Sequence, residues 1–415
     1  MHILYLHQFF TTPSGTSGTR SYTFAREWVR MGHRVTMVTG AVDGVPPTSP
    51  REESTVDGID VIQLGVEYQQ ELSIEERKQA FLDFAKAASR EVLRLDRPDV
   101  IYASSTPLTI AIPALAARLR WRAPLVFEVR DLWPDAPIAF GALSPSQIRI
   151  ARALEHTVYA ASEAVVALSP GMLEAVLERG ANPQRSLMVP NGVDRALYED
   201  APSRRAARAQ FGLDQAEFLA VYVGALGPVH GIAHTLEAVR LAAEQGAPVR
   251  FVLVGEGTME DDVRQAAREH PGHLTYLGPI PRSRVPAALA AADVTLTTVS
   301  DEPILRTTCS NKLFDAMGAG RPQVVNLPGW NTELVTGRGI GYAAAPGSGR
   351  AILDAVLAAR SDEERAAKGQ QSARVGVEFE RERFAERLEG LLSELVQGRP
   401  RMRDALLRGA RGLAG

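Results

Sequence analysis

A chain of 415 residues with one cysteine, Cys309, has no internal disulfide and no cysteine-rich metal site. A buried, inert thiol is the ordinary meaning of such a residue. Lysine is nearly as scarce: Lys78, Lys86, Lys312 and Lys368 are the four among 46 basic residues, and the other 42 are arginine. Those arginines are interspersed with Asp and Glu. The formal net charge of -3 leaves no global excess for gripping nucleic acid or an anionic membrane. No apolar run reaches the ~18 residues of a membrane span, and Met1-His-Ile-Leu-Tyr-Leu-His7 has neither a basic leader nor a small-residue cleavage site. The expectation is a cytoplasmic protein with at most a peripheral contact at the inner face of the membrane.

What is present is the composition of an ordinary globular protein, 45% apolar and 23% charged, in a chain too long for one core. Short apolar runs alternate with longer segments of helical period, the α/β pattern of a parallel sheet covered by helices. The pattern occurs twice. Strand-like runs at 3–7, 34–39, 60–64, 100–103, 125–129, 165–168 and 186–189 form one doubly wound unit, and runs at 218–223, 251–254, 274–276, 294–298 and 323–325 form a second. The polar, basic stretch 200–208 reads as the linker. A final helix over about 378–395 follows the charged segment 361–374, and the tail 399–415 carries five arginines against one aspartate. In doubly wound sheets ligands bind beyond the carboxyl ends of the strands, so a cleft between two such units is the expected site.

Four loops at strand ends carry candidate chemistry. Gly15, Gly18, Thr19 and Arg20 lead the first strand into a helix, where unpaired N–H groups and glycine suit an anion, although a capped Gly/Ser turn explains them equally well. Phe127-Glu-Val-Arg-Asp131 ends a strand in charges, either as a structural network or with Arg130 and Asp131 at a reacting centre. Val223-Gly-Ala-Leu-Gly-Pro-Val-His-Gly231 and Val254-Gly255-Glu-Gly257 are glycine turns, each weak alone. The segment from Arg306 through Thr307, Thr308, Cys309, Ser310 and Asn311 to Lys312 and Asp315 is the most specific. Thr308 and Ser310 are candidate helix caps, and Lys312 and Asp315 share a helix face. A surface salt pair is one explanation. An anionic ligand is the other, because a rare lysine here stands in a first turn, where a cation opposes the helix dipole.

These motifs resemble the retaining glycosyltransferases of family 4, of GT-B fold, with two doubly wound Rossmann-like domains facing a cleft. Leu4-Tyr-Leu-His-Gln-Phe-Phe10, Gly18-Thr-Arg-Ser-Tyr22 and Phe127–Leu143 are similar to the bacterial polysaccharide or N-acetylfucosamine transferase branch. The resemblance implies an acceptor-binding domain over 1–195, a nucleotide-sugar domain over 196–375, a helix over 376–398 packing back on the first domain, and a basic tail. It implies transfer from a nucleotide diphosphate sugar, of the UDP type, to a hydroxyl of a glycan, lipid-linked sugar or small molecule, with no tightly bound cofactor.

By position, Gly278, Pro279 and Ile280 would meet the nucleobase, Asp315 the ribose, and Thr308 to Ser310 with Lys312 the diphosphate. Three features depart from the family pattern. Thr307 replaces the first acid of the E-x7-E motif, Gly224-Ala225-Leu226 with His230 replaces a loop bearing two cations, and Glu67, Glu71, Glu75 and Glu76 replace a basic membrane-docking face. Leaving-group stabilisation would then fall to Lys312, Arg20 or Arg306. With no D-x-D motif, a metal-independent reaction is expected. A GT-B epimerase, or a degenerate transferase acting as a scaffold subunit, are the alternatives.

Overall fold

Short apolar runs become parallel strands because a strand covered by helices on both faces must be apolar on both. The structure, a computed structural model, describes residues 1–66 and 73–398. Glu67, Glu71 and the basic tail 399–415 lie outside the described residues. Two compact units are formed: Met1–Pro190 with Thr307–Cys309 and the chain from Glu382 onward, and Asn191–Arg306 with Ser310–Arg381.

The first unit holds an eight-stranded sheet. Its strands are β1 (His2–Leu6), β2 (Arg34–Thr39), β3 (Arg51–Val56), β4 (Ile59–Leu64), β5 (Val100–Ser104), β6 (Leu125–Val129), β7 (Ala164–Ala167) and β8 (Ser186–Met188). The order is β8-β7-β6-β5-β1-β2-β4-β3, and only the β3–β4 pair is antiparallel. From β1 the chain winds outward through β2 to β4, then returns to the other side of β1 at β5. The winding therefore reverses between β1 and β5, and the loops after these strands diverge there.

The second unit repeats the device with six parallel strands. They are β9 (Leu219–Val223), β10 (Arg250–Val254), β11 (Leu274–Tyr276), β12 (Val294–Thr297), β13 (Gln323–Val325) and β14 (Gly341–Ala343), in the order β11-β10-β9-β12-β13-β14. Here the winding reverses between β9 and β12. Tyr222, Leu226, Val239, Phe251, Leu253 and Ile352 form part of the core on one side of this sheet.

Three differences from the sequence reading have physical causes. Strand β3, with the sequence REESTV, is an exposed edge strand, so it lacks the apolar signal that marked the others. The charged segment beginning at Ser361 is a helix over Asp362–Glu378, capped by the Ser361 hydroxyl, which accepts from the Glu364 N–H at 3.5 Å. The stretch 200–208 is no linker. Ser203 caps a helix over Arg204–Gln210, and Arg208 is fully buried. Its guanidinium donates to the carbonyls of Asp214, Gln215, Glu217 and Ala291 at 2.8–3.0 Å and to Asp293 at 2.7 Å.

The last helix, Arg381–Val396, contributes to the first unit: the Trp28 indole N–H donates to the Ala385 carbonyl at 3.0 Å, and Glu389 meets His33 at 3.0 Å. Replacing Arg208 by Ala should cost about 1–3 kcal/mol, because Asp293 loses one of its two close cations, Arg204 remaining at 2.6 Å, and four carbonyls lose their shared donor. A urea unfolding curve of R208A checks this, and a midpoint equal to wild type would refute it.

Candidate functional site

In the first unit the winding reversal gathers the ends of β1, β5 and β6, three neighbouring strands. Glu128, on β6, is fully buried. Its Oε1 accepts from Arg20 Nε and Nη2 at 3.0 and 2.8 Å and from the Tyr102 hydroxyl at 2.8 Å, and its Oε2 accepts from the Ser104 hydroxyl at 2.6 Å. Burial works against this charge, but the Arg20 guanidinium outweighs it and holds the carboxyl below its ordinary pKa. Arg20 also donates to the carbonyls of Val189, at 2.9 Å, and Pro190. A guanidinium so enclosed does not neutralise a leaving group, which corrects the expectation for Arg20.

Just beyond the same strands lie His7, Arg130 and Asp131. The His7 ring contacts the Ser104 carbonyl through Nδ1 at 3.2 Å and Arg130 Nη1 through Nε2 at 3.1 Å. Burial and the Arg130 charge push the imidazole down to about 3, so it is neutral, with Nδ1 protonated and Nε2 accepting from the arginine. The Arg130 N–H donates to the Ser105 hydroxyl at 3.0 Å, and the Thr106 hydroxyl donates to Asp131 at 2.7 Å. Burial raises the Asp131 carboxyl above its ordinary value. Arg130 and Asp131 are both half-buried, and neither has a salt bridge among the described residues.

The loop 11–19 serves packing more than anion binding. A Cβ on Gly15 would stand 2.6 Å from Asp43 Oδ1 and 2.7 Å from Thr11 Cγ2. Thr12 donates both its N–H and its hydroxyl to Asp43 at 2.6 Å, so a carboxylate of the protein already takes these donors. Gly18 is half-buried beside buried Thr19, the N-cap of the helix Arg20–Arg30.

In the second unit the loop after β9 faces the helix Asn311–Gly318, which follows β12. Gly224 has φ +152°, and a Cβ there would strike Lys312 Cε at 2.4 Å. Gly255, at φ +139°, passes so close to the Gly224 carbonyl that a Cβ would lie 2.0 Å from its oxygen. These glycines make the space in which Lys312 lies. Its ammonium is 5.0 Å from the centre of the Tyr222 ring and has no hydrogen bond or ion pair among the described residues. Burial lowers its pKa from 10.5 to about 8. His230, in the same loop, is pushed down to about 3 by burial and by Lys312, and is neutral.

The salt pair between Lys312 and Asp315 is absent. Asp315 Oδ1 accepts from the Tyr198 hydroxyl at 2.9 Å, Oδ2 accepts from Arg282 Nη1 at 2.8 Å, and Arg282 Nη2 donates to Oδ1 as well. Burial opposes the charge, and Arg282 overcomes it, keeping the carboxyl below its ordinary pKa. These three donors anchor the carboxylate within the second unit and leave Oδ2 with one further acceptor position. Ser310, and not Thr308, takes the N-cap position, and its hydroxyl makes no capping hydrogen bond. Thr307–Cys309 belong to the first unit, where the Ser169 hydroxyl donates to the Thr307 carbonyl and Cys309 is buried. The expected run of N–H groups from 308 to 310 is thus divided, and Ser310 and Asn311 remain beside Lys312. Arg306 is exposed, and the Gly278 carbonyl accepts from the Gly255 N–H at 2.9 Å, ahead of Pro279 and Ile280.

Residues 15–192 match the glycosyl transferase 4-like domain and residues 217–362 the glycosyl transferases group 1 domain. The chain is a glycosyltransferase of the GT-B fold. The probable glycosyltransferase WbjE of Pseudomonas aeruginosa is 27% identical over 278 residues, 65% of this chain and 66% of that one. Glycogen synthase of Mycobacterium tuberculosis is 24% identical over 355 residues, 83% and 82% of the two chains. Among solved structures, sucrose-phosphate synthase from Thermosynechococcus elongatus superposes with a TM-score of 0.74 at 16% identity, over 96% of this chain and 99% of that chain. HepE of Anabaena in complex with UDP-glucose gives 0.67 at 20% identity, over 95% and 100%. No described helix of this glycosyltransferase is long and apolar enough to cross a membrane.

Sequence reasoning missed His7, Arg282 and Tyr198 as partners of the candidate residues. Each lies far along the chain from the group it holds, so spacing carries no signal of the contact. Replacing Arg20 by Ala leaves Glu128 buried without its cation and should cost about 3–5 kcal/mol near neutral pH. In the wild type the depressed carboxyl contributes stability above the ordinary glutamate range that is lost as pH falls through its folded value. In the variant, protonation relieves the unpaired charge instead. The gap between the two melting curves should therefore shrink from pH 7 to pH 4, and a gap independent of pH would count against the pair.

Proposed function

We propose that this glycosyltransferase moves a sugar from a nucleotide diphosphate sugar, of the UDP type, to an acceptor hydroxyl with retention of anomeric configuration, in polysaccharide or glycosylated-metabolite synthesis. The donor is held by the second unit and the acceptor by the first. The single observation that carries this reading is Lys312: a half-buried ammonium without a counter-ion, in the first turn of a helix, at the point where the second sheet reverses its winding. Desolvation and the helix dipole both disfavour an isolated cation there. A diphosphate would satisfy the ammonium and the uncapped first-turn N–H groups together. The complex of HepE with UDP-glucose supports a uridine donor.

Departure of the diphosphate leaves positive charge on the anomeric carbon and adds negative charge to the leaving oxygen. Lys312 and the helix N–H groups answer the second charge, and neutral His230 can donate one further hydrogen bond. Asp131, aligned by the Thr106 hydroxyl, orients the acceptor hydroxyl or answers the positive centre. Among the described residues, no group of three His, Cys, Asp or Glu side chains could hold a metal ion. The cationic and dipolar groups just named are proposed to serve the diphosphate without one. Full turnover in excess chelator is the expected result, and loss of activity restored by magnesium would contradict it.

Lys312→Ala should raise the dissociation constant of a nucleoside diphosphate about 10- to 100-fold, the range of a charge-assisted hydrogen bond. The pH dependence follows from the lowered pKa. Below about 8 the lysine is already charged and affinity is flat. Above it, binding must take up a proton, so the dissociation constant rises by up to about tenfold per pH unit until the pKa of the bound state is reached. Calorimetric titrations between pH 6.5 and 9.5 check this, and K312A should abolish the dependence. Asp131→Asn should lower kcat by more than about tenfold, a general acid–base or electrostatic contribution, while leaving nucleotide affinity unchanged. Wild-type kcat in D131N would remove Asp131 from the reaction.

A further inference from the structure

The first unit contains a second cation without a salt bridge among the described residues, Arg130, which Glu128 and Asp131 influence only through space. Of the charges gathered at the ends of β5 and β6, Arg20 and Glu128 close on each other with both side chains fully buried. Asp131 does not pair with Arg130, and its Oδ2 accepts from Thr106. Among the described residues Arg130 makes two hydrogen bonds, its backbone N–H to Ser105 and Nη1 to His7.

The choice of partner for Arg130 is informative. A carboxylate in place of His7 would fix the guanidinium and also cancel its charge. Neutral imidazole fixes it and leaves the charge intact. His7 is itself fixed, because Nδ1 donates to the Ser104 carbonyl and so presents Nε2 as an acceptor only. With Nη1 directed to His7, the Nε and Nη2 protons have no partner among the described residues. Those two N–H groups form one of the flat edges by which a guanidinium grips an oxyanion through two parallel hydrogen bonds. Neither atom is among the buried polar atoms left without a partner, so the edge is open, and an anion seated on it would replace water with two charge-assisted bonds.

The second unit has its own cation for the donor diphosphate, Lys312, at its own winding reversal. Arg130 stands in the first unit after β6, the strand next to the reversal pair β1 and β5, one residue before the carboxyl proposed to act on the acceptor. We propose that Arg130 is an oxyanion-recognition residue for the acceptor, that His7 is the positioning residue which holds it without neutralising it, and that the acceptor carries a phosphate or carboxylate near the hydroxyl to be glycosylated. This inference rests on the reading of the first unit as the acceptor-binding one. The acidic group could belong to a soluble sugar acid or sugar phosphate, or to a polyprenyl phosphate carrier.

The test uses the full chain saturated with UDP, so that the Lys312 site is filled. Binding of matched probes is measured by calorimetry: glucose 6-phosphate and glucuronate against glucose, and phosphatidylcholine vesicles doped with a polyprenyl phosphate against undoped vesicles. The wild type should prefer at least one acidic probe over its neutral twin by about 10-fold or more, the range of a charge-assisted contact. The arm in which this preference arises identifies the source of the anion. In R130Q the preference should fall to near unity with the dissociation constant of UDP unchanged. His7→Leu should reduce the preference, whereas His7→Gln, whose amide oxygen can still accept from Arg130, should retain most of it. Rescue by Gln is an outcome that a merely structural role for His7 would not produce, and it remains readable if H7L fails to fold.

A preference that survives in R130Q, or none in any arm of the wild type, would overturn the inference. So would a loss of UDP affinity in R130Q, which would place Arg130 on the donor. Failure of the donor reading is seen separately: UDP affinity would then be absent or indifferent to Lys312→Ala, and the acidic-probe preference can still be measured on the nucleotide-free chain.

Discussion

Burying an ionised carboxylate is costly unless a cation and hydrogen bonds answer it, and each unit of this molecule holds such a pair beside its candidate site. In the first unit it is Glu128 with Arg20, and in the second Asp315 with Arg282. Breaking either pair by removing one partner exposes the other to the full cost of desolvation. Each pair also ties distant parts of its unit together. Arg20 opens the first long helix and fastens it to β6 and to the chain leaving β8, while Arg282, Tyr198 and Asp315 join three separate segments of the second unit.

The same pairs decide which charges are left over. Once Glu128 and Asp315 are satisfied internally, Arg130 and Lys312 are the cations that stand near them without an anion. Lys312 lies at a reversal of sheet winding, where loops part and a ligand can reach strand ends, and Arg130 follows β6, the strand beside the reversal pair of the first unit. Both are held by neutral neighbours. Arg130 rests on an imidazole and Lys312 against a tyrosine ring and a glycine loop. A glycosyl transfer from a diphosphate donor needs positive charge that is held in place and not already neutralised, and the two closed ion pairs help by engaging Glu128 and Asp315 internally.

The parallel strands were legible because burial on both faces demands apolar runs, and the doubly wound pattern followed from their alternation with helices. Strand β3 was not legible, since an exposed edge strand of Arg, Glu, Ser and Thr carries no such demand. The scarcity of lysine drew notice to Lys312, and the glycines around it marked the loops that make room for it. The partners of Arg20 and Asp315 were not legible for a common reason. A charge near a strand end or in a helix reads as a ligand contact until its partner is known, and Glu128 lies 108 residues from Arg20, while Arg282 lies 33 residues from Asp315. His7 was quoted only as part of a motif, because a histidine after an apolar strand gives no sign that its ring will hold an arginine from a strand 123 residues away.

Lys312, half-buried with its pKa lowered by burial, is the cation proposed to receive the diphosphate. With only four lysines in the chain, 13C-lysine labelling allows each side-chain Cε resonance to be followed through a pH titration by NMR. One resonance, lost in K312A, should titrate near pH 8 in the free protein and move upward by about one pH unit or more on addition of UDP, the response of an ammonium to an anion seated beside it. Four lysines titrating near their ordinary value of about 10.4, unmoved by UDP, would contradict the account.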